Sequence, residues 1–277
     1  MTLSARNSFF KGGIILSAIS LGLVAAGGYF LFSAYPEAAA SASMRTHGLI
    51  QWIISGLVQP SAYVPYWSML GAVAYSLISI ILIFYFFEKT QAPEILFFAF
   101  FAMSMSFEIV RMVVPLKEVL PFPAIYLISS SRILIFGRYF GLFSLFAAGV
   151  YAAGLDVQKQ QNVFFLSVLA AMIIAMNVPI DSLVWDSSFV LLSGYRSMFS
   201  MVELGILLVT VTSFFVSAYI RSSKSYIIIG IGAIMAFAGR NMLLLSDTWI
   251  TPLPGLLILA AGTWLACIRL HREYLWF

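Results

Sequence analysis

Five arginines, Arg111, Arg132, Arg138, Arg196 and Arg240, lie inside or at the edge of hydrophobic segments in a chain of 277 residues of which only 9% are charged. An ionisable side chain at membrane depth costs on the order of 2.5 to 3.5 kcal/mol even on lenient insertion scales, so such residues point to function. None of the five is lysine. The planar guanidinium fork suits bidentate binding of a carboxylate or phosphate, and the chemistry these residues offer is recognition of an anion.

The acidic residues near them are fewer. Glu108 and Arg111, three apart, can pair on one helix face. Glu203 is the expected partner of Arg240 across two neighbouring helices, with Asn241 beside it, and Asp181 marks the end of another helix with Asn177. The arginines outnumber these carboxylates and leave positive charge to be satisfied. The expected ligand-binding set is therefore Arg111, Arg240, Arg132, Arg138, Glu108, Glu203, Asn241 and Asp181. Arg196 follows the loop-like Ser193-Gly194-Tyr195 and reads as a cation snorkelling from a helix end.

Other chemistry finds little to work with. The chain has no HExxH, GxSxG or Walker A pattern and no acidic pair spaced for a metal. His47 and His271 are the only histidines and are expected on opposite sides of a membrane. Ser-His and paired-Asp constellations are absent from the spans, and the last two spans lack the lysine a retinal protein would need. No catalytic residue, metal site or cofactor is expected, and the chain leans away from an enzyme. The net charge of +4 sits in short loops and is no nucleic-acid signal. The single Cys267 forbids an intramolecular disulfide.

Composition dictates what must position the arginines. A hydrophobic fraction of 62% and repeated apolar runs of about twenty residues exceed what a soluble core could bury. The expected fold is all-α, a polytopic membrane helix bundle forming a single transmembrane domain over residues 1–277, with no soluble domain. Its spans are Gly12 to Phe32, Trp67 to Phe87, Ile95 to Val114, Tyr139 to Leu155, Val163 to Val178, Met198 to Ile220, Tyr226 to Leu245 and Leu253 to Ile268. This gives about eight helices, or seven if the first is cleaved at the small residues Ala38 to Ala42 as a signal peptide; its long apolar run favours a retained anchor.

Two stretches escape the count. Residues 47–58 are too short to span and read as an interfacial helix. Residues 119–138, with Pro121, Pro123 and the Ser129-Ser130-Ser131-Arg132 run, read as a re-entrant or partly buried helix feeding the fourth span. With both termini cytoplasmic, Arg6, Lys11, Lys89, Lys159, Arg221, Lys224, Arg269 and Arg272 face the cytoplasm and only Arg45 and Lys117 lie opposite. That asymmetry follows the positive-inside rule. It sets the polar residues in the extracytoplasmic half, with Arg138 at the outer start of its helix, and leaves the cytoplasmic half almost purely apolar.

Short matches between Met112-Val113-Val114-Pro115 and Met176-Asn177-Val178-Pro179, and the repeated Gly137-Arg138 and Gly239-Arg240 pairs, resemble traces of an internal duplication. Paired glycines in several spans are expected to permit close helix approach. The functional expectation is a multi-pass protein of a bacterial inner membrane. It would be a sensory or accessory subunit binding an anionic small molecule or lipid head group and engaging a membrane or cytoplasmic protein partner. The alternatives are an anion transporter or flippase-like carrier and a structural scaffold. No motif carries functional positions over from a known family.

Overall fold

The computed structural model describes residues 3–34, 63–87, 92–121, 123–180, 183–246 and 248–275. The expected interfacial helix over 47–58 and the site candidate Asp181 lie outside them. Among the described residues the chain is helical apart from connecting segments and one isolated bridge between Trp185 and Leu191. The helices are α1 (Leu3–Ala34), α2 (Tyr63–Phe87), α3 (Pro93–Ser104), α4 (Val113–Val119), α5 (Ala124–Ala152), α6 (Gln160–Asn177), α7 (Arg196–Ile220), α8 (Ser225–Leu244) and α9 (Pro252–Leu275). A 3-10 stretch over Met105–Met112 joins α3 to α4, and the three form one rod. Counting that rod once, eight helices among the described residues are long and apolar enough to cross a membrane.

The rod and α5 are the most buried elements, and they pack on one another at the centre. Consecutive helices reverse direction. One end of the bundle therefore carries the 178–195 segment, the other the turn at 221–224.

Glycine sets the closest approaches. On α5, Gly137 and Gly141 are spaced as a small-xxx-small pair. A Cβ at Gly137 would meet Phe107 Cβ at 2.5 Å, and one at Gly141 would meet Ser104 Oγ at 2.2 Å. The antiparallel α8 and α9 repeat the device: Gly232 lies against Gly262, and Gly239 against Gly255 and Leu259, at backbone distances that exclude any side chain.

The fourth span departs from expectation. Ala124–Ala152 is one uninterrupted helix of 29 residues, so 124–138, expected as a separate segment, is its first half. Pro121 and Pro123 precede this helix instead of interrupting it, Pro123 as its N-cap, where a missing N–H costs nothing. The serine run is tolerated because Ser130 Oγ donates to Leu127 O at 2.9 Å. Likewise Pro115, expected to end the third span, falls in the first turn of α4, and the rod continues to Val119. The last helix also outruns its expected end, and His271 to Tyr274 are helical.

Candidate functional site

Glu108 is the pivot of the polar core. It sits in the 3-10 stretch, where Ser104 and Ser106 hydroxyls donate to Phe101 O and Met103 O and compete with the α-helical ladder. At three residues per turn, positions i and i+3 eclipse, which stacks Arg111 on Glu108 at 3.3 Å. From α5, Arg138 grips the same carboxylate with both arms of its fork. Nε donates to Oε1 at 2.9 Å and Nη2 to Oε2 at 3.0 Å. Gly137, pressed on Phe107, is what brings Arg138 this close.

The pair lies deeper than expected. Arg138 is at the midpoint of the 29-residue α5, roughly 21 Å along the axis from Ala124, not at the start of its helix. The expectation failed because it began that helix at Tyr139.

Arg111 is 1% exposed and fully engaged. Its Nε donates to the Ser188 carbonyl at 2.8 Å, its Nη2 donates to the same oxygen, and its Nη1 reaches Ser68 Oγ at 3.3 Å. Ser188 belongs to a tight turn in the 178–195 segment. Asp186 organises that turn: its Oδ1 accepts from Ser188 N, Ser188 Oγ and Val190 N at 2.6 to 3.1 Å. Phe189 in the turn and Tyr195 before α7 adopt left-handed backbone, at φ 59° and 56°. Arg111 thus pins a connecting segment into the bundle. Arg196, the first residue of α7 and with a 61% exposed side chain, reaches Asp186 Oδ2 at 3.6 Å.

Arg240 differs from the others. It is 1% exposed, yet its hydrogen bonds go to neutral acceptors, Arg138 O from Nη2 at 3.1 Å and Asn241 Oδ1 from Nη1 at 3.3 Å. Its Nε has no acceptor among the described residues. Glu203, the expected partner, is close enough to act on it electrostatically but forms no ion pair with it, and makes no hydrogen bond among the described residues. A cavity of about 220 Å³ is lined by both, together with Arg138, Tyr139, Asp186, Arg196, Phe199 and Asn241.

Arg132 is not part of this arrangement. It is exposed, does not line the cavity as Ser131 and Leu134 do, and its Nη1 lies 3.7 Å from Met176 Sδ. Of the expected set the structure gathers Glu108, Arg111, Arg138, Glu203, Arg240 and Asn241, and excludes Arg132. Sequence reasoning missed Asp186, Ser188 and Ser68. The run Trp185-Asp186-Ser187-Ser188 was the available signal, because an Asp followed two residues on by a free N–H favours an Asx turn.

It also missed Glu94. That residue is fully buried at the start of α3, at the bundle end expected to be almost purely apolar, and accepts from Tyr274 Oη at 2.8 and 3.1 Å. The last turns of α9, unanticipated as helix, bring Tyr274 there. Glu94, Arg221, Tyr226 and Tyr274 give that end a polar anchor of its own. Among the described residues no three His, Cys, Asp or Glu side chains converge as a metal site would require.

Among the described residues, the class defined by these elements is an all-helical bundle with eight span-length apolar helices around a buried Glu-Arg core. Comparison with protein-family models, with curated proteins and with solved structures found no match for the chain.

Proposed function

We propose that the chain is a multi-pass protein of a bacterial inner membrane that binds an anionic small molecule or lipid head group, as a sensory or accessory subunit. The observation that carries this reading is Arg240: a buried guanidinium facing a cavity, with no carboxylate in contact and one N–H without an acceptor. Burying a charge costs several kcal/mol unless it is paired, so a bound anion is the natural completion of the site. Arg138 and Arg196 line the same cavity but already have Glu108 and Asp186. Arg240 is the one left to bind.

Depth favours binding over carriage. Toward the 221–224 end the interior beyond Glu108 is filled by Phe97, Phe98, Phe101, Phe140 and Tyr151, all nearly inaccessible. A carrier would need polar groups along that path. Lys and Arg cluster in the segments of that same end, which supports a cytoplasmic assignment for it and an outward-facing cavity.

The test is titration of the purified chain with inorganic phosphate and with acetate, followed by thermal unfolding. A saturable rise in Tm that Arg240→Gln abolishes and Arg240→Lys partly keeps is expected. An equal response in the wild type and Arg240→Gln would overturn the reading. Saturable phosphate uptake into proteoliposomes would replace the sensory role with the carrier.

A further inference from the structure

The cavity holds two charged groups of opposite sign that are close together and not bonded to each other. Direct pairing would be the expected end state for Glu203 and Arg240 in a low-dielectric interior. Arg240 is held back from it. Nη2 is tied to the Arg138 carbonyl and Nη1 to Asn241, both from the backbone or side chains of elements that are themselves locked by glycine contacts. Glu203, about two turns into α7, lines the same cavity with no hydrogen-bond or ion-pair partner among the described residues. Tyr139 and Phe199 line the same cavity, their rings 6.3 Å apart and edge to face.

A ligand with negative charge alone would complete Arg240 but would set that charge in the same cavity as Glu203, whose carboxylate has no ion-pair partner among the described residues, whereas Asp186 is engaged by Arg196. It would gain at one wall and lose at the other. A molecule carrying an acid and an amine a few bonds apart satisfies both walls at once. Its ammonium would rest against Glu203 with an aromatic face available to it, and its carboxylate or phosphate against Arg240. The volume of about 220 Å³ lies below the usual range of about 300 to 1,000 Å³ for drug-sized ligands, which restricts the occupant to a compact zwitterion or a head group whose tails lie outside.

We infer that the cavity recognises a zwitterion, with Glu203 as its cation-binding residue and Arg240 as its anion-binding residue. This rests on the anion-binding reading of the same cavity and adds to it the second charge. Glu203 contributes discrimination: it repels simple anions and attracts their amine-bearing counterparts.

The experiment compares phosphoethanolamine and glycine with their one-charge parts, inorganic phosphate, acetate and ethanolamine, on the full chain in detergent. Binding is read by calorimetry. At least one zwitterion should bind tenfold or more tighter than its matching anion. Glu203→Gln, a near-isosteric change at a half-buried site, should erase that advantage while phosphate binding is kept or strengthened. Phosphate or acetate binding as tightly as the zwitterions, with no effect of Glu203→Gln, would overturn the inference and leave the anion pocket standing. No binding by any of the five probes, together with no stabilisation in nanodiscs of phosphatidylethanolamine over phosphatidylglycerol, would remove the pocket as well. Stabilisation by phosphatidylethanolamine discs that Glu203→Gln abolishes, with weak binding of soluble phosphoethanolamine, would identify the lipid head group as the source. Tight soluble binding would identify a free solute.

Discussion

At the scale of single residues, one carboxylate serves two guanidinium groups. Glu108 receives both arms of Arg138 and one of Arg111, and all three are largely removed from solvent. Removing one partner from a buried ion pair typically costs about 3 to 5 kcal/mol, because the charge left behind is uncompensated, whereas replacing both by apolar groups is often neutral. Glu108→Gln should therefore sharply reduce the monodisperse folded yield and the unfolding temperature. The double variant Glu108→Leu with Arg138→Met should recover part of both, because the buried Arg111 is then left with only the neutral Ser188 and Ser68 as partners. Size-exclusion chromatography and thermal unfolding would check it. A double variant as damaged as Glu108→Gln would show that the pair contributes more than mutual neutralisation.

At the scale of elements, the two Gly-Arg pairs share a physical cause. Gly137 lets α5 lie against the 3-10 stretch, and Gly239 lets α8 lie against α9. In each case the next residue is the arginine that the close contact sets in place. Close packing is a sufficient cause for the repeated Gly-Arg pairs. A Cβ at Gly239 would sit 2.3 Å from the Leu259 backbone N and 2.7 Å from the Gly255 carbonyl, neither of which can swing away. Gly239→Ala should cost about 1 to 3 kcal/mol, as overpacking does, and should weaken ligand binding through Arg240. Gly205→Ala on α7, where the added Cβ meets nothing, should gain about 0.5 to 1 kcal/mol in helix stability. Thermal unfolding of the two variants side by side tests the contrast; equal shifts would refute the packing account.

At the scale of the whole molecule, hydropathy made the helices legible because an apolar run of span length has few other fates. Residue type and spacing pointed to Glu108, Arg111, Arg138, Glu203, Arg240 and Asn241, and these lie around the ion-pair core and its cavity. What stayed hidden depended on geometry beyond periodicity. Proline could not announce that it began α5 instead of breaking it, and no pattern marked the 3-10 stretch or the reach of Ser188 into the bundle. Arg132 and Arg138 lie six apart on one helix, and only the facing direction separates an exposed cation from a core one.

Sidedness is the remaining property of the whole bundle, and it decides which compartment supplies the ligand. The basic residues gather at the end carrying the 221–224 turn, and the cavity opens nearer the 178–195 segment. If the charge asymmetry governs insertion, the cavity faces away from the cytoplasm. The native Cys267 is fully buried and gives little background for thiol labelling. Exposed Ser187 and Lys224 mark the two ends. Ser187→Cys should react with a membrane-impermeant maleimide in intact cells, or in outer-membrane-permeabilised cells of a diderm host. Lys224→Cys should react only after the inner membrane is opened. The reverse pattern would turn the bundle over and make the ligand a cytoplasmic one, and the arginine cluster would then read the state of the cell interior instead of its surroundings.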